Sequence, residues 1–130
     1  MQKKDIDWSK LGFGYVKTDK RFVAHYKDGK WDEGHLTDDD TITLNECAGV
    51  LQYAQTCFEG LKAYTTKDGR TVCFRPDLNA SRIADSCRGL QIPPIPEELF
   101  LRAVKEVVKE KIVVKEVVKV NHGKLLSLWM

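Results

Sequence analysis

Arg82 is the side chain whose place in the sequence points most directly to chemistry. Residues 77–90 are predicted to form a helix with Asn79 as its N-cap, which puts Arg82 in the first turn. A cation there opposes the helix dipole, unless an anion such as a phosphate rests on the helix N-terminus and accepts from the guanidinium. The other reading is an exposed ion pair with Asp85, three residues further on, and spacing alone favours it.

Three aromatic residues are candidates for an apolar pocket. Tyr53 and Phe58 stand in the stretch YAQTCFEGLKAY (53–64), ahead of Gly60, where a helix is predicted to change to a strand. Rings at such a junction can line a substrate pocket, although from spacing alone they are more simply core residues. Phe13, between two glycines, is the third candidate.

The remaining reactive side chains form no recognisable catalytic or metal-binding set. Lys62 has no feature that sets it apart as a Schiff-base lysine, and Glu59 has no partner at motif spacing. The four cysteines form no CxxC and the three histidines no HExxH, so no metal site is predicted and the thiols are expected to be reduced and mostly buried. No catalytic residue is assigned.

Composition limits the class of protein. The 130 residues suit one domain, and 42% hydrophobic with 31% charged residues is typical of a globular protein. A net charge of +2 argues against binding to nucleic acid or a membrane surface. The N-terminus lacks the apolar segment of a signal peptide, so a cytoplasmic location is expected.

The predicted elements describe an α+β domain, an antiparallel sheet with helices packed on one face. Strands are predicted before and after the reversal at Asp28-Gly29, with a further short strand toward 41–44. A helix is predicted from about Asn45 to Gly60, because five apolar residues follow one helical face: Val50, Ala54, Cys57, Phe58 and Leu61.

The second half of the chain is predicted to be a hairpin and two helices. Lys67-Asp68-Gly69 marks the hairpin turn, and Pro76 is expected to end its second strand. After the helix at 77–90, residues 97–110 have an amphipathic helical pattern. The hexapeptide VKEVVK occurs at 104–109 and again at 114–119; its valines suit strand as well as helix, and no structure is predicted for 111–130.

Two long stretches resemble the N-terminal part of branched-chain amino-acid aminotransferases, pyridoxal-phosphate enzymes of fold type IV. They are VLQYAQTCFEGLKAY and FRPDLNASRIADSCRGLQIPPIPEELFLRAVKEVVK, and the similarity extends over roughly residues 8–109. The resemblance implies an amino transfer between leucine, isoleucine or valine and 2-oxoglutarate. It also implies that the arginine matching Arg82 contacts the cofactor phosphate, and that Phe13, Tyr53 and Phe58 line the substrate pocket.

The departures from the family pattern lead to further expectations. Ala54 stands where the family usually has glycine. Residues 1–110 match the small N-terminal domain, whereas 111–130 do not match the linker to the larger domain that carries the Schiff-base lysine. The chain alone is therefore expected to be inactive and to form homo-oligomers. The alternatives are a non-catalytic module that binds itself or a partner, and a domain in which Arg82 and the aromatics are only structural.

Overall fold

The computed structural model describes residues 18–110, 117–121 and 125–129. Within these ranges it is an α+β structure of antiparallel strands and three helices, which confirms the predicted fold class. Phe13, one of the predicted pocket residues, lies outside the described ranges. No helix among the described residues is both long enough and apolar enough to cross a membrane.

The larger sheet has six strands and is antiparallel throughout. Its strands are β1 (Arg21–Lys27), β2 (Lys30–Trp31), β3 (His35–Thr37), β4 (Thr56–Glu59), β7 (Val117–Asn121) and β8 (Leu125–Trp129). Their order in the sheet is β2-β1-β8-β7-β4, and β3 also pairs with β1. A separate hairpin contains β5 (Ala63–Thr65) and β6 (Thr71–Cys73).

The three helices are α1 (Gly49–Tyr53), α2 (Pro76–Gly89) and α3 (Glu97–Lys109). Two of them, α2 and α3, pack with β1 around one core. Phe22, Val23 and Ala24 of β1 are all buried, and α3 buries its apolar face. The core cluster contains Phe22, Ala24, Leu61, Ala80, Ile83, Cys87, Ile92, Ile95, Leu99, Phe100, Ala103, Val104 and Val107.

Features specified by local sequence are confirmed. The β1–β2 turn has Asp28 at φ 51° and Gly29 at φ 82°, the two positive values that a tight hairpin turn requires. The hairpin at 67–69 is present, with Gly69 at φ 80°. The helix at 97–110 is α3, with two glutamates in its first turn, where the helix dipole favours them.

The predicted helix from Asn45 to Gly60 is wrong. Only Gly49–Tyr53 is helical, Ala54 ends it in the left-handed conformation, and Thr56–Glu59 form β4. The short helix α1 buries none of its residues, whereas β4 packs against α2 and pairs with β7. Tertiary packing therefore overrides a helical periodicity that extended across a strand. The further short strand lies at His35–Thr37, before the predicted position.

The predicted start of the second helix is also wrong. Pro76 does not simply end a strand; it is the first residue of α2, a position that suits its fixed φ and missing N–H. Arg75 is the N-cap, so Asn79 lies inside the helix and Arg82 is its seventh residue, beyond the first turn. For the tail, β7 and β8 pair with each other and lie between β4 and β1.

Gly34 is predicted to be irreplaceable by alanine, since its φ is +65° and an added Cβ would lie about 2.5 Å from the buried Phe22 ring. We expect Gly34→Ala to lower the free energy of unfolding by about 2–4 kcal/mol, through backbone strain together with core displacement. Gly29→Ala is the matched control, because its φ is +82° but no atom lies within 4 Å of an added Cβ. Urea denaturation of both variants measures the difference; equal losses would contradict the Phe22 clash.

Ala54 provides the converse substitution, because it holds φ 49° without being glycine. We expect Ala54→Gly to stabilise the chain by about 0.5–1 kcal/mol, since left-handed backbone is strained for alanine. Ala48, at φ −60° on the other side of α1, is the control, and Ala48→Gly is expected to destabilise by raising the entropy of the unfolded chain. Thermal denaturation should show shifts of opposite sign; a lower melting temperature for both variants would refute the strain at Ala54.

Candidate functional site

The packing of α2 on β4 creates a buried polar contact around Glu59. Side chains alternate along a strand, so Cys57 and Glu59 both face α2. Cys57 meets Cys87 of α2, with 3.7 Å between the two Sγ atoms. Glu59 meets Arg82 and Asn79 of the same helix.

Glu59 accepts hydrogen bonds through both carboxylate oxygens. Arg82 Nε donates to Oε2 at 2.7 Å, and Arg82 Nη2 donates to Oε1. Asn79 Nδ2 donates to Oε1 at 2.8 Å and to the carbonyl oxygen of Gly60 at 2.9 Å. The Glu59 side chain is 3% exposed and that of Arg82 is 68% exposed. A buried carboxylate thus holds one edge of a guanidinium whose remaining donors are accessible.

The protonation of this pair follows from the same contacts. Burial by itself would raise the pKa of Glu59, but hydrogen bonds from Arg82 and Asn79 and the charge of Arg82 outweigh it, so the pKa lies below its ordinary value. The hydrogen bonds to Glu59, and then its charge, raise the pKa of Arg82. Both groups are therefore ionised at neutral pH, and the contact is a bidentate ion pair.

The predicted ion pair between Arg82 and Asp85 is wrong. Asp85 accepts from Arg88 Nη1 at 2.5 Å, while Arg82 is held by Glu59. Arg82 lies beyond the first turn of α2, so it is not placed to bind an anion together with the N–H groups of the helix N-terminus. Its suitability for an anion depends instead on its accessible charge and unused N–H groups.

The two aromatic candidates are surface residues and not part of the core. Tyr53, at the end of α1, is 85% exposed, and Phe58 is 71% exposed. Phe58 precedes Glu59 in β4, so its ring emerges on the opposite strand face from the carboxylate that holds Arg82. The structure therefore places Arg82 with Glu59 and Asn79, and leaves the two rings open to solvent.

The four cysteines differ in their exposure. Cys87 is buried, Cys57 and Cys73 are partly buried, and Cys47 is exposed, an exception to the expected burial. Burial raises the pKa of Cys87 to about 12, with smaller contributions from Cys57, and burial also raises the pKa of Cys57. Both facing thiols are protonated at neutral pH and pack as small apolar groups. In the described ranges, no three metal-ligating side chains cluster.

Glu59 and Asn79 are the site residues whose roles the sequence did not indicate. Glu59 is 23 residues from Arg82 and 20 from Asn79, so no periodic signal within one element connects them. Asn79 and Arg82, three residues apart on α2, are on one helix face. That spacing is the only local signal, and it was masked by the assignment of Asn79 as an N-cap.

No family model matches the chain, but comparison with known proteins finds relatives whose names agree with one another. The chain is 58% identical over 106 residues to a branched-chain-amino-acid aminotransferase of Haemophilus influenzae and 49% identical over 106 residues to that of Helicobacter pylori. It is 43% identical over 108 residues to branched-chain-amino-acid transaminase 1 of Bacillus subtilis.

Each of these alignments covers 82% of this chain but only 30–31% of the relative. The chain thus spans about a third of the length of the relatives it matches, as an N-terminal part of them would. Over that aligned part the resemblance drawn from the sequence is confirmed, and the chain is homologous to the branched-chain-amino-acid aminotransferases.

Proposed function

We propose that residues 1–110 are the small N-terminal domain of a pyridoxal-phosphate-dependent branched-chain aminotransferase, with 111–130 as an atypical tail. The observation that carries this proposal is the 58% identity to an enzyme of that name over 106 residues. The proposed reaction transfers an amino group between leucine, isoleucine or valine and 2-oxoglutarate. When bound, the cofactor would supply the electron sink for proton loss at the substrate α-carbon.

Arg82 fits the role of a cofactor phosphate ligand. Its guanidinium has five N–H donors, of which two are bonded to Glu59, and its side chain is 68% exposed. The neighbouring backbone leaves room for a ligand, since a Cβ added at Gly60 would meet no atom within 4 Å. A permanently charged, anchored guanidinium beside open space suits a phosphate, which accepts several charge-assisted hydrogen bonds at once.

Tyr53 and Phe58 fit the role of an apolar wall for the substrate side chain, with Phe13 as a further wall. The two described rings are exposed, together with Phe74 and Leu78. Exposed apolar side chains that form a contiguous patch often mark a contact with another surface. We infer that this surface is the remainder of an aminotransferase or a second copy of the chain, so that the pocket is completed only on assembly.

The first prediction from this function concerns the phosphate ligand. Arg82→Lys keeps the charge but loses the planar fork, and is expected to weaken binding of pyridoxine 5′-phosphate about tenfold, the effect of one charge-assisted hydrogen bond. Pyridoxine 5′-phosphate carries no aldehyde and cannot react with the many lysines. Calorimetric titration at pH 7 measures the dissociation constant, and phosphate-free pyridoxine tests whether the phosphate is recognised.

Arg88→Lys is the matched control, because Arg88 is also on α2 and pairs with a carboxylate, Asp85, in an exposed position. Its binding constant is expected to equal that of the unchanged chain. Equal weakening by both substitutions, or no weakening by either, would rule out Arg82 as the specific phosphate ligand.

The second prediction concerns activity. Incubated with pyridoxal phosphate, leucine and 2-oxoglutarate, the 130-residue chain is expected to form no glutamate above the rate of free cofactor. In the family, the Schiff-base lysine belongs to the larger domain, and this chain aligns with only 31% of its relative. The full-length Haemophilus influenzae enzyme under the same conditions is the positive control. Glutamate formation by the chain at a comparable rate would refute the proposal that it is inactive alone.

A further inference from the structure

We propose that Glu59 is a positioning residue for Arg82: it fixes the plane of the guanidinium so that its free N–H donors face an incoming phosphate. The inference depends on the proposed function, since it assigns a task within the same cofactor site. It assigns a role to Glu59, for which the sequence indicates no partner at motif spacing. The carboxylate would act through Arg82 and not touch the ligand.

The geometry supports orientation of the guanidinium. Glu59 accepts from Nε and from Nη2 of Arg82, the two donors that share one edge of the fork. Two parallel bonds fix both the direction and the plane of the group, which a single contact could not do. An arginine side chain that is 68% exposed would otherwise sample many rotamers, and binding would have to offset that lost entropy.

Glu59 is itself held firmly enough to serve as an anchor. Its side chain is 3% exposed, and it extends from β4, whose four residues pair with β7. Asn79 donates to the same carboxylate and to the carbonyl oxygen of Gly60, so it ties the end of β4 to α2. Because Asn79 and Arg82 belong to one helix, the carboxylate is clamped from one face of α2.

The competing explanation is that the ion pair only stabilises the fold. The two explanations predict opposite signs for phosphate binding when the charge of Glu59 is removed. A negative charge next to Arg82 repels a phosphate, so by charge alone Glu59→Gln should bind phosphate more tightly. If Glu59 positions Arg82, the same substitution should bind more weakly, because the released guanidinium must be ordered by the ligand.

The test measures binding of pyridoxine 5′-phosphate and of inorganic phosphate to the unchanged chain and to Glu59→Gln at pH 7. We expect Glu59→Gln to raise both dissociation constants about fivefold, the order of one lost rotameric constraint with its hydrogen bond. Asp85→Asn is the matched charge control, since it removes a carboxylate from the same helix that pairs with Arg88. It is expected to leave binding unchanged or slightly tighter.

A second readout reports orientation directly. The Nε–H signal of Arg82, followed by ¹⁵N relaxation without ligand, should be rigid in the unchanged chain and mobile in Glu59→Gln. Asn79→Ala keeps both charges but removes one clamp on Glu59, and is expected to weaken binding about twofold. If circular dichroism shows that Glu59→Gln does not fold, phosphate binding by Asn79→Ala tests the proposal in its place.

The measurements distinguish failure of the positioning role of Glu59 from failure of the proposed cofactor site. Equal or tighter binding by Glu59→Gln, with a rigid Nε–H, would overturn the positioning role and leave Arg82 as a phosphate ligand. If Glu59→Gln is unfolded, unchanged phosphate binding by Asn79→Ala would overturn the positioning role of Glu59. Absence of phosphate binding by the unchanged chain would instead overturn the proposed cofactor site, and the positioning role with it.

Discussion

A buried carboxylate that must be paired is the constraint on which the candidate site depends. Glu59 is removed from water at the end of β4, and an unpaired charge there would cost several kcal/mol. Arg82 and Asn79 satisfy it, and both belong to α2. The position of the helix on the strand and the position of the guanidinium are therefore set by one interaction, so the fold and the site cannot be varied independently.

Acid weakens the ion pair between Glu59 and Arg82, because protonation removes the charge of Glu59. Because the folded pKa of Glu59 is lowered, its stabilising contribution is present above the unfolded pKa and disappears as pH falls through the folded value. At neutral pH the carboxylate is charged and can orient Arg82. The thiols beside it behave differently: with a pKa of about 12, Cys87 remains neutral and adds packing without charge.

The parts of the fold that the sequence predicted correctly are those decided locally. Asp28-Gly29, the turn at 67–69 and the amphipathic α3 each carry their signal within a few residues. The helix predicted from Asn45 to Gly60 failed because Thr56–Glu59 pair with β7 and pack on α2, and the local apolar spacing does not reveal these distant partners. The repeated hexapeptide shows the same limit: at 104–109 it lies in α3, whereas residues 117–119 of its second copy lie in β7. Identical residues take different structures because their partners differ.

For the site, the local argument that singled out Arg82 from the sequence is incorrect, and its role as a phosphate ligand stays a prediction. Arg82 is not in a first helical turn, and what marks it structurally is a partner 23 residues away that no periodicity reveals. The resemblance to aminotransferases selected the residue independently of that argument. For Tyr53 and Phe58 the residue type was misleading: aromatic residues suit a core, yet both of these side chains are exposed.

The two faces of β4 explain why the aromatic and charged candidates occur side by side in the sequence and apart in space. Cys57, partly buried, and Glu59, almost fully buried, face α2, and Phe58 between them faces outward. One strand thus separates a buried polar anchor from an exposed apolar ring. At its end, Gly60 adds no side chain, and a Cβ there would meet nothing within 4 Å. The backbone at this end of β4 therefore leaves open space beside the buried anchor.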